Sequence, residues 1–135
     1  MRLVVDASIS VVEPLKQARA DLAPALARLR QDTWIVPALW WFEVRNALVV
    51  NERRGRLTTQ ALEMALGELS QAAVTIDRMP DETMIIDLAR RHRLTVYDAA
   101  YLELALRERL DLATLDASLA EAARREGVAV IGDPA

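Results

Sequence analysis

The 135 residues are enough for one domain of ordinary size, expected to span 1–135. Hydrophobic residues at 53% and charged residues at 27% exclude a disordered chain. The absence of cysteine and the single histidine, His92, exclude disulfides, thiolate zinc sites, cysteine nucleophiles and any site needing two imidazoles. A net charge of −3 provides no global pull toward nucleic acid, which leaves room for a local basic patch.

In chain order, RLVV at 2–5 predicts a short buried strand. Pro14 suits a first helical turn, and Leu15, Ala18, Leu22, Leu26 and Leu29 recur at helical spacing. This predicts helix from Pro14 onward, with a kink or break at Pro24. WIVP at 34–37 predicts a second strand, and ALWWFEVRNALVVNERR at 38–54 a strong helix ended by Gly55. Thr58 or Thr59 caps a helix running to about residue 72. VTI at 74–76 is a short strand or an extended connection, 81–91 is helical, and a further helix begins near Tyr97. LATL at 112–115 is a strand, 117–125 a helix, and VAVIG at 128–132 a closing strand. Short branched strands alternating with helices predict an α/β fold whose parallel sheet is covered on both faces. The start lacks a signal-peptide pattern, and no window reaches the roughly 18 apolar residues of a membrane span, so a cytoplasmic location is expected.

Four carboxylates stand out. Asp6 follows the first strand and Asp116 follows LATL, and ligands of open parallel sheets sit beyond the carboxyl ends of the strands. Each also has a local explanation. Asp116 suits a helix N-cap, Asp6 a turn with Ser8, and Asp98 a capping pair with Thr95. Glu43 resists such an explanation, because it lies in one of the most apolar helices of the chain and there needs a partner or a cation. If Asp6, Glu43, Asp98 and Asp116 converge, they repel one another and a divalent cation relieves them. Hard oxygen donors without histidine or cysteine favour Mg²⁺ or Mn²⁺, and the chemistry this predicts is metal-assisted phosphodiester hydrolysis.

VVDAS, PALWWFEVRNAL, LTVYDAAYLELAL and LATLD, in this order, resemble the PIN-domain ribonucleases, specifically the VapC-type toxins of toxin–antitoxin pairs. The resemblance covers nearly the whole chain. It implies a three-layer α/β/α domain with a central, mostly parallel sheet of four to five short strands. It also implies that Asp6, Glu43, Asp98 and Asp116 are catalytic and hold Mg²⁺ or Mn²⁺, with Ser8, Asn46 and Thr114 supporting them. The implied activity is endonucleolytic cleavage of single-stranded regions of cellular RNA (tRNA, rRNA or mRNA). The implied partners are a cognate antitoxin that obstructs the pocket and a second copy of the chain. The segment SVVEPLKQ departs from the family pattern by being more polar and by entering a helix early.

Other features carry weaker signals. Glu13 is expected as a solvated acid at a helix start, and His92 as a complement to a helix C-terminus. Trp34, Trp40, Trp41 and Phe42 are expected in the core or a dimer interface, and Tyr97 and Tyr101 in the core. The basic runs at 52–56 and 90–93 are solvated helix ends that could guide an RNA backbone. A phosphoacceptor domain would need a lysine at a late strand end, and the single lysine is Lys16. A catalytically inactive interaction or RNA-binding module of the same fold is the remaining alternative.

Overall fold

Leu3, Val4 and Val5 carry β1 (Arg2–Val5) through the middle of a sheet, fully buried. In the computed structural model, which describes residues 1–132, β1 pairs in parallel with β2 (Thr33–Pro37) and β4 (Leu112–Ala113). β3 (Val74–Asp77) extends the sheet beyond β2 and β5 (Val130–Ile131) extends it beyond β4. The order is β3-β2-β1-β4-β5, and every pairing is parallel. The α/β class with four to five short strands is therefore the architecture found, with five strands. The single domain expected over 1–135 takes in residues 133–135, which lie outside the described residues.

Alternation along β1 builds two cores. Val4 joins Ile35, Val44, Leu48, Leu88, Leu102 and Leu119 on one face, whereas Leu3 and Val5 join Ile9, Leu22, Leu26 and Leu29 on the other. The first core is supplied mainly by α3 (Leu39–Arg53), α5 (Glu82–His92), α6 (Val96–Glu108) and α7 (Ala117–Arg125). The second is supplied by α1 (Ala7–Ser10), a 3₁₀ turn at Ala20–Leu22 and α2 (Ala23–Gln31). α4 (Thr59–Gln71) contacts α3, and its Ala65 is buried in the first core.

Local chemistry sets the helix starts. Thr58, Asp81, Thr95 and Asp116 each accept a hydrogen bond from a backbone N–H of the first turn of α4, α5, α6 and α7. After α3 the chain turns through Gly55 at φ +75°, a conformation glycine adopts without a Cβ penalty.

The expected helix from Pro14 is not found. Helix begins earlier, at Ala7, directly after β1, and the chain then turns at 11–16. Lys16 takes a left-handed conformation (φ 54°) that stops helical propagation. Pro24 opens α2 instead of kinking a longer helix, as its lack of an N–H permits in a first turn. Leu22, Leu26 and Leu29 are still buried as their spacing predicts.

Glu103, only 2% exposed, anchors a charge network that the sequence did not reveal. Arg107 donates to Glu103 Oε2 at 2.7 Å and makes a forked pair with Asp77 at 2.8 and 3.1 Å. The Asp81 N–H donates to Glu103 Oε1 at 3.3 Å. These bonds tie the end of β3 and the start of α5 to the middle of α6.

Candidate active site

The strand order reverses direction at β1. From there the chain builds outward through β2 and β3, then returns to place β4 and β5 on the opposite side. The crevice of an open α/β sheet lies at this switch point, beyond the strand ends. Asp6 emerges from β1 beside the exit of β4, where its N–H donates to the Ala113 carbonyl at 2.9 Å.

A small hydroxyl network holds the Asp6 side chain. Ser8 Oγ donates to Asp6 Oδ2 at 2.6 Å, and Thr114 Oγ1 donates to the same oxygen at 2.8 Å. Ser8 Oγ accepts from the Leu115 N–H at 3.0 Å, and Thr114 Oγ1 accepts from the Asp116 N–H at 3.0 Å. The two hydroxyls thus fix the Asp6 carboxyl and the backbone leading into α7 together. Burial raises the Asp6 pKa and the Asp116 charge adds to the rise, while hydrogen bonds from Ser8, Thr114 and the Ala7 backbone oppose it.

Glu43 projects from the first half of α3 and accepts a 2.6 Å hydrogen bond from the Tyr101 hydroxyl on α6. Its carboxyl is raised by burial and by the Asp6 charge, and lowered by the Tyr101 bond. Asp98 lies in the first turn of α6, where its N–H donates to Thr95 Oγ1 at 3.0 Å. Its pKa is pushed up to about 6, first by burial and then by the charges of Asp116, Asp6 and Glu43. Asp116 caps α7, with Oδ1 accepting from the Leu119 N–H at 2.9 Å. Asp98 therefore feels each of the other three acids, and the four form one electrostatic group. The capping roles expected of Asp116 and of Thr95 before Asp98 are also present, so the local and the collective explanations hold together.

Among the described residues, no three His, Cys, Asp or Glu side chains stand close enough together to hold a metal ion. The fit to a divalent cation is one of charge and donor type. Carboxylates raised first by burial and further by one another's charge favour a hard cation, and Mg²⁺ keeps several waters and needs only one or two direct carboxylates.

Other expected residues divide. Ser8 and Thr114 touch Asp6, whereas Asn46, one turn beyond Glu43, is exposed. Trp40 is buried and donates from Nε1 to Ser10 Oγ at 2.9 Å; Trp34 is half-buried. Trp41 and Phe42 are exposed, with ring centroids 5.0 Å apart. Tyr97, expected in the core, is exposed, because it lies on the solvent side of the first turn of α6; Tyr101, one turn later, is fully buried. Glu13 is exposed as expected, but it pairs with Arg30 at 3.1 Å and no helix starts there. His92 pairs with Glu126 at 2.6 Å, away from the acids' own hydrogen bonds. Tyr101 is the site residue that the sequence hid. Its one signal was position, three residues after Asp98 on the same helix face.

The PIN domain family matches residues 3–125. A Mycobacterium tuberculosis protein named ribonuclease VapC3 is 36% identical over 121 residues, covering 90% of this chain and 87% of the relative. A Pyrobaculum aerophilum protein of the same name is 34% identical over 124 residues, covering 90% and 94%. The crystal structure of VapBC2 from Rickettsia felis, bound to a DNA fragment from its promoter, shares the fold at TM-score 0.66 and 12% identity, covering 96% of this chain and 97% of that one. With the PIN-domain match running over residues 3–125 and relatives of 34% and 36% identity covering 90% of its length, the chain belongs to the PIN-domain family and, within it, to the VapC type.

Proposed function

We propose that the protein is a Mg²⁺- or Mn²⁺-dependent endoribonuclease toxin that cleaves single-stranded regions of cellular RNA. The observation that carries this reading is the hydroxyl pair, Ser8 and Thr114, that fixes the buried Asp6 carboxyl at the exit of β1 and β4 and ties it to the Asp116 backbone, with the charges of Asp6, Glu43 and Asp116 all raising Asp98. The ribonuclease names of the two relatives at 34% and 36% identity support it.

In this reading the four acids hold the cation, which when bound polarises the scissile phosphate and lowers the pKa of an attacking water. Ser8 and Thr114 aim the Asp6 carboxylate by donating to one of its oxygens. The Tyr101 hydroxyl keeps Glu43 ionised and in place, because a hydrogen bond to a carboxylate favours its charged form. The cap on α7 restrains Asp116 through one oxygen. The donor geometry is thus set before substrate arrives.

An antitoxin that covers the pocket is the proposed partner, on the example of the VapBC2 complex. A second copy of the chain is proposed to pack on α3, where Trp41, Phe42 and Val49 form an exposed apolar face. Among the described residues no helix is long and apolar enough to cross a membrane.

The test is cleavage of a mixed pool of single-stranded RNA by the purified chain, with Mn²⁺ or with chelator. Cleavage that needs the metal and disappears in Asp6→Asn supports the proposal. Cleavage that persists in chelator removes the metal mechanism, and a folded chain that cleaves nothing leaves the inactive binding module.

A further inference from the structure

A cleft of about 190 Å³ is lined by His92, Arg93, Ser118, Glu121, Ala122 and Arg125. One wall is the turn between α5 and α6. The other is a single face of α7, since residues 118, 121, 122 and 125 recur at helical spacing. Each wall continues within a few residues into a segment that carries one of the acids. Arg93 stands two residues before Thr95, whose hydroxyl holds the Asp98 backbone, and Ser118 stands two residues after Asp116.

The charges in this cleft are unevenly satisfied. Glu126 is taken by Arg91 at 2.9 Å and by His92 at 2.6 Å, and Glu121 by Arg125 at 2.6 Å. Among the described residues no carboxylate pairs with Arg93, which is exposed. Its backbone is left-handed, at φ 54°, and its N–H closes α5 on the Ala89 carbonyl. Glycine is the usual residue at such a helix end, so the side chain here is not explained by the turn. An unpaired guanidinium is a planar fork of donors suited to two oxygens of one phosphate.

We propose that this cleft binds a backbone phosphate of the RNA strand flanking the scissile bond, with Arg93 as the anchor and Ser118 and Arg125 as its neighbours. The proposal rests on the ribonuclease reading for its choice of ligand. An acidic pocket repels the phosphates on either side of the one it cleaves, and a cation at its rim offsets that repulsion. Arg125 would exchange its partner Glu121 for the incoming phosphate.

The test is binding of a short, end-labelled single-stranded RNA to the Asp6→Asn chain, followed by fluorescence anisotropy across a salt series. Arg93→Gly removes the side chain and suits the left-handed backbone, so the fold is kept; a thermal melt checks this. The expected result is several-fold weaker binding and a salt slope reduced by about 0.7, the value for one phosphate contact to a single strand. Arg93→Lys recovers part of the affinity. Arg2→Ala, at the opposite end of β1 from Asp6, leaves binding unchanged. Equal affinity and slope with and without Arg93, equal weakening by Arg2→Ala, or no RNA binding by the parent chain overturns the proposal. Arg93-dependent binding by a chain that, with Asp6 intact, cleaves nothing in Mn²⁺ overturns the nuclease reading and upholds the cleft.

Discussion

The Tyr101 hydroxyl donates to Glu43 Oε1 at 2.6 Å, joining two helices across the acid pocket. Tyr101→Phe keeps the buried ring and removes only this donor. The loss is that of a hydrogen bond to a charged acceptor, about 1.5–3 kcal/mol, read from urea unfolding. The Glu43 pKa then rises further, since the bond was lowering it. The acid limb of the cleavage profile should move to higher pH in Tyr101→Phe, and an unmoved limb would separate Tyr101 from the chemistry.

Asp6→Asn should reduce cleavage by two orders of magnitude or more, ~10²-fold being typical for loss of a well-placed electrostatic group. The asparagine carbonyl can still accept from Ser8 and Thr114, and a repelled, buried carboxylate is gone. The melting temperature is therefore expected to hold or rise. A variant that melts far below the parent would mean that Asp6 is mainly a structural residue.

The acid cluster also predicts how the metal-free protein responds to pH. Asp98 has a folded-state pKa of about 6, above its ordinary 3.8. A raised carboxyl contributes stability that is fully present below the unfolded value and is lost as pH rises through the folded one. Metal-free protein should gain stability from this group as pH falls from about 7 toward about 4, and Asp98→Asn should flatten that part of the curve. Added Mn²⁺ at neutral pH should raise the melting temperature of the parent more than that of Asp98→Asn. Thermal melts with and without metal read both effects.

Arg107→Ala should be among the most damaging single changes away from the pocket. It strands Glu103 in the interior and leaves Asp77 without its forked partner. Glu103 is buried but Arg107 is exposed, so the cost falls between the ~1 kcal/mol of a surface pair and the ~3–5 kcal/mol of a fully buried one. Replacing Glu103 by Gln together with Arg107→Ala should recover part of that loss, as denaturant titration of the three variants would show.

Phe42→Glu tests the proposed pairing of two chains through α3. Phe42 is 69% exposed, so the change should leave the fold intact while turning a dimer into a monomer in sedimentation. A parent chain that already sediments as a monomer removes the proposal.

Much of this was legible from residue patterns, for identifiable reasons. Asp6 and Asp116 were legible because a short apolar strand precedes each one. Glu43 was legible because a carboxylate inside so apolar a helix needs a reason. The role of Tyr101 was not, since a tyrosine among leucines reads as core and its partner lies 58 residues away in the chain. The segment after Ser10 misled because leucines spaced for one long helix serve two separate pieces, divided by the left-handed Lys16. The one-turn spacing of Tyr97 and Tyr101 does not put both in the core, because the first turn of α6 is open to solvent.

The pairing of β1 with β4 has a consequence for synthesis. The Thr114 hydroxyl that holds Asp6 is synthesised 108 residues after it. Until β4 has been made, the central strand therefore has only one neighbour and Asp6 lacks one of its two hydroxyl donors. A product that stops short of β4 lacks both the neighbouring strand and the hydroxyl that orients Asp6, so topology alone keeps it from completing this arrangement.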